Sequence, residues 1–136
     1  MGKILLSGLI SGTIAGLLLL GAFLYVQLST DIELMTLLLN IDFLYSGNPH
    51  IVIEVLLHLF VSIVIATILK WVYINQSKLY IPSMAVFWIL ATSQYFVLSN
   101  AAEEPVKLYS YIGWTLWAIF HIGYFQVLHL CYKLKI

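Results

Sequence analysis

Four long apolar runs, separated by short polar stretches, account for most of the chain. A helix needs roughly 20 mostly apolar residues to cross a bilayer, and the runs at about 4–28, 49–68, 81–98 and 111–130 reach that length. The pattern predicts an all-α integral membrane protein, a compact four-transmembrane-helix bundle forming one domain over residues 1–136. A cleaved signal peptide competes for the first run, because Lys3 precedes it. That run is longer than the apolar core of such leaders, so it is read as a span.

The polar stretches carry signals of their own. Thr30-Asp31-Ile32-Glu33 has the T-x-x-E form of a capping box. The apolar Leu34–Leu39 behind it is too short to span, which predicts a short helix at or dipping into the outer interface. Residues 45–49 read as a turn, with Asn48 as N-cap and Pro49 opening the second span. A similar start signal around Asn100 and Pro105 lets the fourth span begin before the membrane.

Composition agrees with the pattern: 62% of residues are hydrophobic and 9% charged, with a mean hydropathy of +1.02. Soluble domains carry about 25% charged residues, so an ordinary cytosolic protein is excluded. Six lysines balance six acids and there is no arginine, which leaves no basic footprint for nucleic acid. The lone Cys131 supports neither an internal disulfide nor a C-x-x-C site.

Charge placement orients the spans. Lys3, Lys70, Lys78, Lys133 and Lys135 fall on one side if the spans alternate; Asp31, Glu33, Asp42, Glu103 and Glu104 fall on the other, with Lys107. By the positive-inside rule both termini are cytoplasmic, in a plasma (inner) membrane. Tyr25, Tyr45, Trp71, Tyr73, Tyr80, Tyr109 and Tyr111 lie near the expected interfaces, where amphipathic rings are favoured.

Two sets of residues inside the spans stand out. Gly8, Gly12 and Gly16, flanked by Ser7, Ser11 and Ala15, form a glycine zipper along one ridge of the first span. Such a ridge lets another helix approach closely, either a span of the same chain or the seam of a homodimer. The second set is ionisable and therefore costly in lipid. His50, Glu54 and His58 recur every four residues on one face of span two, and His121 and His129 share a face of span four. At about 1.5 Å per residue, His58 and His121 reach similar depths, roughly 12 and 15 Å below the outer edge. Gln94, with Thr92 and Ser93, comes to nearly the same level from span three.

The expected site is thus a pocket of Glu54, His58, Gln94 and His121 opening outward through His50, with acidic loops around its mouth. Imidazole and carboxylate suit Zn, Cu or Fe, with His50, Glu54, His58 and His121 as ligands. A haem with His58 and His121 as axial ligands is the other form of this class, with Gly113 and Gly123 leaving room for the macrocycle. Two further classes compete: a small proton- or cation-coupled transporter, dimeric given its few spans, and a non-catalytic accessory subunit of a larger membrane complex. No common catalytic motif is present. A membrane metallohydrolase is the one enzyme class that the His50, Glu54 and His58 spacing permits. His129, near Lys133, reads as an interfacial residue.

Overall fold

A computed structural model describes residues 1–41, 50–101 and 111–136. The expected turn at 45–49 and the acids Asp42, Glu103 and Glu104 lie outside the described residues, as do Lys107 and Pro105. The described chain is helical without strands: α1 (Gly2–Ser29), α2 (Leu34–Leu39), α3 (Ile51–Asn75), α4 (Ser77–Ala101) and α5 (Tyr111–Lys133). Of these, α1, α3 and α4 are long and apolar enough to cross a membrane, which points to a membrane protein. The fourth expected span, α5, is long enough but is not in that set, for it carries His121, Gln126 and His129.

Four boundaries differ from the sequence pattern. Helix α3 runs past Lys70 to Asn75, and α4 starts at Ser77, leaving Gln76 alone between them. The lysine does not end the helix because its charge is accommodated on the bundle. At the start of α3, His50 is the N-cap, its Nδ1 accepting from Val52 N at 3.3 Å. Thr30 does not cap α2. It closes α1, donating to the Val26 carbonyl at 2.8 Å and accepting from Ile32 N at 3.2 Å, while Glu33 occupies the α2 N-cap without a side-chain bond.

The four long helices form an antiparallel ring in which α1 and α4 each pack against both α3 and α5. Helix α2 folds inward against α1, α3 and α4, burying Leu34, Leu37 and Leu39. Gln27 holds it, donating to Thr36 Oγ1 at 2.9 Å and accepting from Thr36 N at 3.0 Å.

The glycine ridge faces α3. A Cβ added to Gly8 would collide with Thr67, one on Gly12 would lie 2.6 Å from Ile63 Cα, and one on Gly16 would meet Leu59 and Ser62 at 3.0 Å. The ascending partners on α1 descend along α3, so the two helices are antiparallel. Between α4 and α5 two indoles exchange bonds: Trp88 Nε1 donates to the Ala118 carbonyl at 3.1 Å and Trp117 Nε1 to Ala91 at 2.9 Å. Trp117 is fully buried, its ring 5.1 Å from that of Phe23.

This order places Lys3, Lys70, Lys78, Lys133 and Lys135 at one end of the bundle and Asp31 and Glu33 at the other. At the lysine end α5 closes in a Schellman turn. Ile136 N donates to Cys131 O at 3.0 Å and Lys135 N to Tyr132 O at 3.2 Å, with Lys135 at φ 62.

Replacing Gly12 by Ala is expected to lower stability by about 1–3 kcal/mol, because the obstructing atoms are α3 backbone. Gly21→Ala, which meets nothing within 4 Å, is expected to leave stability unchanged or higher. Thermal unfolding of the two variants in detergent checks the contrast.

Candidate functional site

Every fourth residue of α3 from His50 lies on one stripe: His50, Glu54, His58, then Ser62, Ala66 and Lys70. The stripe crosses three environments. His50 is exposed and spends its Nδ1 on the helix cap. Glu54 is half-buried in the first turn, where a carboxylate complements the positive end of the helix, and it has an interaction of its own. From His58 onward the stripe turns into the bundle.

His58 lies beside the backbone of Gly16, and its Nε2 is buried with no hydrogen-bond partner among the described residues. His121 enters from α5 and is only 6% exposed. Its Nδ1 stands 2.8 Å from the Trp117 carbonyl. A carbonyl can only accept, so Nδ1 carries the proton and Nε2 keeps the lone pair. The ring is fixed laterally by Trp117 at 4.9 Å and Phe23 at 5.7 Å.

Both histidines line one small cavity of about 60 Å³, together with Gln94, Ser62, Tyr124 and apolar neighbours including Leu19, Leu38 and Phe125. The structure therefore brings together His58, Gln94 and His121 from three helices. His50 and Glu54 do not line the cavity, and Leu38 of α2 does. Among the described residues no group of three or more His, Cys, Asp or Glu side chains is placed to hold a metal ion. Of the two glycines expected to leave room, Gly113 is filled, since a Cβ there would lie 2.7 Å from Tyr95 Oη, whereas a Cβ on Gly123 would meet nothing within 4 Å.

Ser62 and Tyr124 were not singled out in the sequence, although spacing marked both: Ser62 lies four residues after His58, and Tyr124 three after His121. Ser62 Oγ donates to the Gly12 carbonyl at 2.7 Å. Its single proton is thereby used, so Tyr124 is the donor where its hydroxyl meets Ser62 Oγ at 3.0 Å and Ser62 O at 3.2 Å. These bonds clasp α1, α3 and α5 at the wall of the cavity.

A second cluster closes the lysine end. Lys70 Nζ lies 4.9 Å from the Tyr132 ring centre and 5.9 Å from that of Tyr73, and donates to the Ile136 carbonyl at 3.3 Å. Ser7 donates to the same carbonyl. Tyr132 donates to Ala66 O at 2.6 Å. His129 stacks on Tyr80 at 5.6 Å, with its Nδ1 3.2 Å from the hydroxyl. His129 is therefore bound up in packing, well separated along α5 from the His121 cavity.

Comparison with known protein families, curated proteins and solved structures finds no match for this chain.

Tyr124→Phe is expected to cost about 1 kcal/mol, the net worth of a buried hydrogen bond, because Ser62 retains Gly12 as its partner. Chemical or thermal unfolding in detergent reads this.

Proposed function

We propose that the chain is a four-span protein of a plasma membrane with both termini cytoplasmic, and that His58 and His121 together hold one metal ion in the bundle core. One observation carries the site: two imidazoles from different helices share a cavity in which a buried nitrogen of His58 has no partner among the described residues. An orphaned buried polar atom is expensive, and a ligand between the rings removes the cost. His121 has the arrangement usual for a metal-ligating histidine, its other nitrogen held by a carbonyl.

Size argues for an ion among Zn, Cu and Fe. About 60 Å³ accommodates an ion with a water, whereas pockets for organic ligands span roughly 300–1,000 Å³. A haem would have to part the helices and displace Tyr95 from Gly113. Hydrolysis gains no support, because Glu54, the candidate general base, does not line the cavity. The proton-coupled transporter reading draws little from the core hydroxyls, since Ser62 and Tyr132 donate into backbone carbonyls that cannot pass a proton on. An accessory role without a ligand leaves the His58 nitrogen unexplained.

The crossing of α5 rests on its 23 residues, about 34 Å of helix. The orientation rests on the lysine-rich end.

Elemental mass spectrometry of the detergent-purified protein is expected to find about one transition-metal ion per chain. His58→Ala and His121→Ala should each abolish it, and His129→Ala should retain it. No metal in the wild type, or equal metal in all three variants, overturns the site. For topology, single cysteines replacing Asp31 or Lys135 in a Cys131→Ser background are treated with a membrane-impermeant maleimide. In intact cells or spheroplasts the first is expected to label and the second only after permeabilisation.

A further inference from the structure

We infer that the ion taken by His58 and His121 is copper(I), bound between two imidazole nitrogens; this rests on the proposed ion site and specifies its chemistry. Both rings line the cavity, and the described residues bring no third histidine, cysteine or carboxylate into a common group with them. Tyr124 is already committed to Ser62. The soft donors are therefore two neutral nitrogens among mostly apolar neighbours; the amide oxygen of the exposed Gln94, which also lines the cavity, suits harder cations.

Charge comes next. The cost of placing an ion in a low-dielectric interior grows with the square of its charge, so a divalent cation there costs about four times as much as a monovalent one. Among the described residues no acidic side chain lines the cavity to offset that cost. Zinc adds a second difficulty, for its structural sites are tetrahedral with four ligands and even its catalytic sites keep three protein ligands. Copper(I) carries a single charge, has a filled d shell and is satisfied by two nitrogen donors in line. Imidazole is among the ligands that suit copper. Rigid placement of His121 by Trp117 and Phe23 supports two-coordinate binding, because few ligands must then each be well aimed.

The test is an anaerobic titration of the detergent-purified full chain with copper(I) in competition with a bathocuproine chelator, alongside zinc(II) and iron(II) titrations. The expected result is one copper(I) per chain, no stoichiometric zinc or iron, and a higher thermal midpoint on loading. His58→Ala and His121→Ala are expected to weaken copper(I) binding at least tenfold. Cys131→Ser, which removes the only thiol, and His129→Ala are expected to leave it unchanged. Unfolding midpoints of the metal-free variants separate lost ligation from lost folding, with His58→Gln as the milder substitution. Stoichiometric zinc or iron in place of copper, dependent on His58, overturns the copper assignment and leaves the site standing. No binding of any of the three metals overturns both. Copper(I) held equally by wild type and both histidine variants, or lost in Cys131→Ser, overturns the assignment to His58 and His121.

Discussion

The backbones of α1 and α3 come together where Gly8, Gly12 and Gly16 present no side chains, and the remaining contacts follow from that approach. In lipid there is no hydrophobic drive to bring helices together, so close packing and interhelical hydrogen bonds supply the attraction. Removing the Cβ atoms serves both. It lets Ile63 and Thr67 pack onto the α1 backbone, and it exposes the Gly12 carbonyl to Ser62. Ser62 in turn receives Tyr124, which draws α5 onto the same seam. Ser62 and Tyr124 also line the cavity of His58 and His121, so its position depends on the spacing the glycines set.

The outward faces of α1, α3 and α4 carry leucine, isoleucine, valine and phenylalanine, and the largely apolar interior also holds serines, tyrosines, histidines and a lysine. These polar groups are affordable because they end on backbone carbonyls: Ser11 on Ser7, Ser62 on Gly12, Tyr132 on Ala66, and His121 on Trp117. Individual bonds of this kind average about 0.6 kcal/mol in membrane bundles. Their larger effect is to specify which helix faces which. Helix α5 carries His121, Gln126 and His129 within its apolar stretch and is among the best buried of the helices. Apolarity alone therefore finds α1, α3 and α4 and passes over it.

The legible parts of the fold were those in which one helix suffices to make the signal. Length and apolarity located the long helices within a few residues at most ends, and the small helix behind Asp31 was marked by its short apolar run. The errors came where a partner changed the local outcome. Lys70 reads as a helix-ending charge until Tyr132, Tyr73 and the Ile136 carbonyl take it up. Thr30 and Glu33 have capping-box spacing, yet the Val26 carbonyl competes for the threonine and wins.

For the candidate site, the sequence by itself determined the matching level along the helices and the helical face of His58, Gln94 and His121, because rise and rotation per residue are properties of a single helix. It also determined that the lysines segregate and that one ridge of α1 is bare. Only the tertiary structure decided that α3 covers the ridge, that Ser62 and Tyr124 join the histidines, and that His50 and Glu54 stay outside the cavity. Periodicity fixes which residues share a stripe. How far each helix is rotated toward its neighbours is settled by side-chain volumes and hydrogen bonds from helices distant in sequence, and the first two positions of the α3 stripe lie beyond their reach.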